Sequence, residues 1–348
     1  QMMRYKLLGR SGLRVSELCL GTMTFGEEWG WGAGFEESSR QFHAFLEAGG
    51  NFIDTANRYT EGSSERFLGE LVKQSGRRDD LVVATKYALV THERGLNLAG
   101  NHRKNMVQSV EGSLKRLQMD HIDILYLHAW DFTTAAEEVM RALHDLVQQG
   151  KIFYVAISDT PAWIVSRANT IAELRGWDPF IALQVEYSLI QRTVERDLLP
   201  MAQSMELAVT AWAPMAGGAL TGKYLQENND PKRLQPNSAR LNERSRAIAQ
   251  EVVNIAHETG HSAAQIALRW VMQQHQQIIP IVGARNADQL KDSIGATEIA
   301  LSQEHLQRLQ QVSAIELGFP HDFLKGDGVR DILFGGKLGE LDIHKRFF

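Results

Sequence analysis

A closed (β/α)8 barrel of the α/β class, a TIM barrel with an N-terminal hairpin, is the fold the sequence predicts, and three observations predict it. Eight short apolar or β-branched runs recur along the chain. Segments with helical periodicity separate most of them, and most runs begin about 30 residues after the last, the length of one strand–helix unit. A chain of 348 residues holds one such barrel of about 250 residues with extensions.

The hairpin comes first: residues 3–16 include LLGRSGLRVS, with a Ser-Gly turn between two short runs. The candidate strands are 18–23, 51–56, 81–86, 122–128, 152–158, 181–187, 207–213 and 278–283. Between them, Val107, Val110, Leu114 and Leu117 share one helical face, and Val139, Leu143, Leu146 and Val147 share another. After the seventh strand, residues 217–244 are rich in Gly, Asn and Pro, the composition of a long functional loop. The barrel is expected over about 17–296, a capped extra helix over 302–312, and an irregular, Gly-rich tail over 314–348. No repeat or linker divides the chain, so residues 1–348 are expected to form a single domain. Gln1, ahead of two methionines, is left out of the argument.

Composition removes several classes of function. With 37 Lys and Arg against 42 Asp and Glu the net charge is −5, so no global positive field exists to hold nucleic acid or an anionic membrane. The single cysteine, Cys19, can form neither an internal disulfide nor a multi-thiolate zinc site, which points to a reducing, cytoplasmic setting. The first twelve residues lack the apolar core of a signal peptide, and no apolar run approaches the length of a membrane span.

Three motif look-alikes carry less than they promise. His257 to His261 reads HETGH, a formal match to a zinc-hydrolase pattern that needs both histidines on one helical face. Gly260 is suited to end that helix and Ser262 to cap the next, which would part the two histidines, so no metal is expected. GGALTGKY ends in Tyr224 where a phosphate loop needs a Mg²⁺-ligating Ser or Thr, although its backbone amides can still cradle a pyrophosphate. Gly30, Gly32 and Gly34, with Asp54 beyond, have the wrong spacing for a dinucleotide fingerprint, and Trp29 and Trp31 would crowd it. A mobile aromatic loop over the barrel mouth fits those residues better.

The chemistry concentrates at the C-terminal ends of the strands, where barrels place their active residues. Asp54 follows the second strand, Lys86 the third and His128 the fourth, with Tyr59 just beyond the second. Singly, Asp54 is explained as a helix cap, Lys86 as a solvated strand end, His128 as a satisfied core histidine and Tyr59 as a surface aromatic. Together, four such groups at one mouth exceed what a core requires. A tyrosine, with its usual pKa of about 10, donates a proton at neutral pH only if a cation such as Lys86 stabilises its anion. Asp54 would hold Lys86, and His128 would bond the same substrate oxygen. A phenol aimed at an oxygen that becomes negative suits carbonyl reduction, given a hydride source.

The segment DTANRYTEGSSE from Asp54 to Glu65, with ATK ending at Lys86 and LYLH ending at His128, resembles the aldo-keto reductase superfamily. The resemblance runs from about Tyr5 to Gly295 and implies the tetrad Asp54, Tyr59, Lys86 and His128 in the roles above. LGTMTFG, ISDTPAW and AWAPMAGGALTGKY are most similar to the branch of aryl-alcohol dehydrogenases and potassium-channel β subunits. The family uses NADPH, which implies Gly21, Thr22, Ser158 and Gln184 at the nicotinamide end and Trp212 stacking on its ring. It also brings in Pro214, Leu220, Gly222, Lys223 and Arg240.

The phosphate end can be argued from the residues as well. IVGARNADQLKDS sets Gly283 and Arg285 between the eighth strand and a helix beginning near Asn286, the usual phosphate site of a barrel. Arg285 suits a 2′-phosphate, while Gln289 and Asp292, one turn apart, can face the adenosine. The chain departs from the family pattern at Asp159 for Asn, Ala213 for Ser, and Ser293 for the Asn that follows the acidic residue. An ionised Asp159 accepts hydrogen bonds without donating any, which puts one carboxamide contact in question. The expected activity is NADPH-dependent reduction of a small carbonyl compound such as an aromatic aldehyde, with a mouth lined by Trp29, Trp31, Trp130 and Phe132. The alternative is an NADPH-binding regulatory subunit of the channel-β type with little turnover.

Overall fold

The computed structural model describes residues 3–225 and 234–343; part of the loop expected after the seventh strand, and the last five residues of the tail, lie outside them. β1 (Tyr5–Leu7) and β2 (Arg14–Ser16) form the antiparallel hairpin, with Tyr5 opposite Ser16. Eight parallel strands then close a barrel: β3 (Cys19–Gly21), β4 (Phe52–Asp54), β5 (Val82–Tyr87), β6 (Ile122–Leu127), β7 (Ile152–Ser158), β8 (Ala182–Glu186), β9 (Ala208–Trp212) and β10 (Ile278–Val282). β10 pairs with β3 to complete the circle, Ile281 lying opposite Cys19. Each strand falls within, or one residue beyond, a run expected from sequence.

Outside the barrel run α1 (Phe35–Glu47), α2 (Ser63–Ser75), α3 (Arg103–Leu117), α4 (Ala136–Gln148), α5 (Ala162–Arg175), α6 (Leu198–Ser204), α7 (Glu243–Thr259), α8 (Ala263–Gln274) and α9 (Ala287–Ile294). Val110 and Leu117 are buried on α3 as expected, but Val107 is 37% exposed and Met106 takes its place in the core. α7 ends at Gly260, whose φ of 72° is the left-handed geometry glycine allows, and Ser262 caps α8 in a capping box with Gln265. His257 therefore lies on α7 and His261 beyond its end.

Side chains alternate along each strand between the lumen and the helices. Cys19, Phe52, Val82, Ala84, Ile124, Tyr126, Ala156, Ala182, Ala208 and Ile279 form one buried cluster that fills the lumen. Neighbours such as Ile53, Val83, Leu125 and Val209 pack in the other, under the helices. Leu8 and Val15 of the hairpin belong to the lumen cluster, and Lys6 donates to the carbonyl of Ile278, so the hairpin plugs the N-terminal end of the barrel. With that end closed, the C-terminal end is the mouth. Stepping two residues up the strands from the lumen layer leads to Gly21, Asp54, Lys86, His128, Ser158 and Gln184, and stepping four residues up β9 and β10 leads to Trp212 and Gly283. Strand geometry alone thus aims the expected site residues at one opening.

The extra helix is α10 (Gln303–Ser313), capped by Ser302 as expected. The tail differs from expectation: it is not wholly irregular but contains α11 (His321–Lys325) and α12 (Asp327–Leu333). Gly326 separates two helices too short to produce a readable apolar period.

Candidate active site

Lys86 is fully buried, not a solvated strand end. Its ammonium donates to Asp54 Oδ2 at 2.6 Å, to the Thr55 carbonyl at 2.8 Å and to Tyr59 Oη at 3.1 Å. All three N–H groups are thereby directed, and Tyr59 is the acceptor nearest the mouth. Because Tyr59 receives this bond, its own proton remains available for a substrate oxygen. The His128 ring meets the Tyr59 ring edge-on at 5.9 Å, and its buried Nδ1 has no hydrogen-bond partner among the described residues. All four tetrad side chains expected from sequence therefore converge.

Tyr59 is held by an unusual turn. Thr60 and Glu61 take left-handed φ values of 47° and 55°, conformations that cost roughly 1–3 kcal/mol each for residues other than glycine. Thr60 offsets this by donating to the Phe25 carbonyl at 2.6 Å and accepting from the Ser64 amide at the start of α2. A Cβ on Gly62 would stand 2.8 Å from the Arg116 side chain, so glycine is required there for space as well. Arg116 in turn pairs with the buried carboxylate of Glu65, which also accepts from Thr85.

Behind Asp54 lies a buried chain of hydroxyls that sequence reading did not identify. Ser64 Oγ stands 2.8 Å from both Thr55 Oγ1 and Thr22 Oγ1, and Thr22 donates to the Asp54 carbonyl at 3.0 Å. The chain fixes the backbone of residues 54 and 55, which carries two of the three acceptors around Lys86, the Asp54 carboxylate and the Thr55 carbonyl. Thr22, expected at the cofactor, thus has its hydroxyl committed internally. Gln184, expected at the nicotinamide, donates to Asp54 Oδ1 at 3.0 Å and completes the pairing of that carboxylate. The run of hydroxyl residues in TANRYTEGSSE was the available signal.

Burial is the largest influence on His128, Lys86 and Tyr59. It pulls His128 down to about 3, with Lys86 adding to the effect, so the imidazole is neutral at physiological pH. Burial alone would lower Lys86, but Asp54 and Tyr59 raise it on balance, so it stays charged. For Tyr59 burial raises the pKa and outweighs the opposing pull of Lys86. Lys86 therefore limits the rise in Tyr59 without reversing it, in contrast to the lowering expected from sequence.

Trp212 is gripped on two sides. Its indole N–H donates to Asp159 Oδ1 at 3.1 Å, and the Arg240 guanidinium lies 5.9 Å from its ring centre, itself paired with Glu186 at 2.5 Å. Asp159 has a left-handed φ of 42°, and burial raises its pKa. Ser158 and Pro214 are buried beside these residues in sequence, at the ends of β7 and β9.

The residues present fit a dinucleotide phosphate. Gly217, Gly218 and Gly222 all have positive φ, in and just after a 3-10 turn that buries Leu220. A Cβ on Gly217 would stand 3.3 Å from Arg240 Nη1, and one on Gly218 2.7 Å from Lys223 Nζ. Two cations thus approach bare backbone, the donor set an anion requires. At β10, Gly283 and Gly21 meet closely enough that a Cβ on Gly283 would contact the Gly21 carbonyl at 3.4 Å.

The start of α9 is more occupied than the sequence suggested. Glu37 of α1 accepts from the Ala287 amide, Asn286 caps the Gln289 amide, and the Gln289 side chain accepts from the Arg285 amide. Asp292 is turned toward α8, where it accepts from Ser262 and Gln265, and so links the two helices. With the Ala287 and Gln289 amides already bonded, the Arg285 guanidinium is a group at this end suited to a phosphate.

At the mouth, the Trp29 ring stands edge-on to Tyr59 at 6.5 Å and lies 5.7 Å from Trp31. Trp29 is fixed by donating to Glu61 and by the Arg58 guanidinium over its face. Trp130 packs on the core, whereas Phe132 is 68% exposed.

With this geometry the comparisons agree: residues 17–314 match the aldo/keto reductase family model, and the chain belongs to that family of oxidoreductases. It is 39% identical over 337 residues to an NADP(+) aryl-alcohol dehydrogenase of Phanerodontia chrysosporium, covering 91% of this chain and 87% of the relative. A norsolorinic acid reductase of Aspergillus flavus is 37% identical over 326 residues, covering 91% and 83%. An aldo-keto reductase of Aspergillus calidoustus is 36% identical over 339 residues, covering 93% and 85%. Among the described residues no helix is long and apolar enough to cross a membrane.

Proposed function

We propose that this chain catalyses the reversible, NADPH-dependent reduction of aldehydes and ketones to alcohols, with Tyr59 as general acid. The observation that carries the reading is the Lys86 ammonium, fixed by Asp54 and Thr55 and directed at the Tyr59 oxygen. Bound NADPH would supply the hydride, and with it the two electrons, to the carbonyl carbon. Tyr59 gives its proton to the carbonyl oxygen as charge builds there, so one C–H and one O–H bond form. Lys86 then stabilises the phenolate left behind. Neutral His128 donates a hydrogen bond to the same oxygen and orients it. In the reverse direction the Tyr59 anion acts as base.

Lys223, Arg240 and Arg285 would hold the phosphates, Trp212 the nicotinamide, and Trp29 with Trp31 an aromatic carbonyl substrate. NADPH in preference to NADH is favoured by Arg285 and by the name of the Phanerodontia relative. The cytoplasm is the proposed compartment, since the single cysteine, Cys19, is buried and free. The test is NADPH oxidation with a panel of aromatic aldehydes, repeated with Tyr59→Phe. Turnover should fall by about 10²–10⁴ while NADPH still quenches tryptophan fluorescence. Full turnover in the variant would overturn the assignment.

A further inference from the structure

We infer that the C-terminal tail is a self-association surface, by which two copies of this chain form a dimer through α11 and α12. The tail leaves the barrel with few attachments. Arg196 donates to the Phe319 carbonyl at 2.8 Å and His321 approaches Asp197 at 3.3 Å. Beyond Gly326, the hydrogen bonds described run within the tail, as from Arg330 to the Gly326 carbonyl and from Gly336 to the Asp331 carbonyl.

Helices of five and seven residues are marginal in water without packing on an apolar face, since nucleation is not repaid over so short a length. Yet this segment turns Phe319, Phe323, Ile332, Leu333, Phe334 and Leu341 outward, Ile332 being 81% and Phe319 76% exposed. At roughly 150–250 Å² for a whole aromatic side chain and somewhat less for an aliphatic one, these exposures amount to about 700 Å². Spread over the two helices and their flanks rather than gathered on one face, this apolar area is comparable to the roughly 800 Å² per partner of a stable interface.

A second copy is the occupant that supplies a matching area. A twofold axis sets the same patch on both sides, so each tail covers the other, and the shortage of apolar cover is met twice by one contact. Charges on α12 agree, because Asp327 and Asp331 flank Arg330 and mixed signs suit a surface that faces its own copy. Over residues 315–348 six acidic side chains stand against five basic ones, so the tail has no positive excess to hold an anionic membrane.

The test is light scattering and sedimentation of the full chain over the micromolar range. The expected mass is twice 39.1 kDa. Ile332→Asp should give the 39.1 kDa species, and removal of residues 315–348 a monomer about a tenth lighter, each with the barrel's thermal transition retained. A wild type that stays monomeric overturns the inference, as does a dimer that survives both changes. A monomer in which Ile332→Asp raises the aldehyde KM would overturn it in favour of a tail that covers its own mouth. A monomer that sediments with anionic vesicles would overturn it in favour of a lipid surface.

Discussion

The indole N–H of Trp212 donates to Asp159 Oδ1 at 3.1 Å, tying the end of β9 to the end of β7 through a carboxylate where the family often has an asparagine. An asparagine oxygen could accept the same bond, so the substitution changes charge more than shape. That negative charge opposes ionisation of Tyr59, in concert with burial and with Asp54, and against Lys86. Asp159 itself is influenced by Trp212, Lys86 and Glu186.

Asp159→Asn should therefore make the Tyr59 anion easier to form. Alcohol oxidation needs that anion as base, so its alkaline limb should move to lower pH, while reduction should lose activity sooner as pH rises. Paired pH profiles of kcat/KM in the two directions measure this. An unmoved limb, or one displaced upward, would show that Asp159 acts only as a strut for Trp212.

His128 gives a prediction of opposite kind. Its folded-state pKa lies at about 3, against about 6.5 for an unperturbed histidine, so no acid limb of reduction near 6.5 should arise from it. Between those values the unfolded chain binds the extra proton, so this group's contribution to stability is full above about 6.5 and is lost as pH falls toward 3. His128→Asn should remove that part of the acid-side decline. Urea midpoints at about pH 7 and pH 5 for both proteins would expose an error, since equal declines would mean that His128 is not buried neutral.

Ser64 is the centre of the hydroxyl chain behind Asp54. Ser64→Ala would strand the Thr55 hydroxyl in the core, at a cost of about 1–3 kcal/mol, while Thr22 keeps its bond to the Asp54 carbonyl. If the chain positions Lys86 through the backbone of residues 54 and 55, kcat should fall while the aldehyde KM changes little. A variant that loses stability but keeps kcat would restrict Ser64 to holding the fold.

What the sequence made legible follows from how local each signal is. The eight strands were legible as short apolar or β-branched runs about 30 residues apart, because in a closed barrel the helices cover one face of each strand and the lumen the other, so both faces are buried. The tetrad was legible because Asp54, Lys86 and His128 fall at the ends of successive expected strands and Tyr59 follows the first of them by five residues. Gln184 was assigned to the mouth, but its bond to Asp54 spans 130 residues, and no local pattern carries such a contact. Glu37 on the first amide of α9 went unseen for the same reason, a distance of 250 residues in sequence. The direction of the Tyr59 shift was misjudged because burial, the larger influence, is a property of the assembled mouth.

The sharpest test of the site concerns whether Tyr59 and Lys86 act as one unit. Tyr59→Phe removes the phenolic oxygen, and Lys86→Met removes the ammonium that donates to it at 3.1 Å. Each should lower kcat for reduction by about 10²–10⁴, since either loss abolishes the same proton transfer. The double variant should be little worse than the poorer single one, because the second change removes a partner whose function is already gone. Lys86→Met also leaves the buried Asp54 carboxylate with Gln184 as its remaining side-chain donor, so a stability loss of about 3–5 kcal/mol should accompany it. Adding Asp54→Asn should recover part of that stability without recovering turnover, which separates folding from chemistry. Free energies that summed across the Tyr59 and Lys86 variants would instead mean that the two residues contribute through independent contacts, and the coupled proton donor would have to be abandoned.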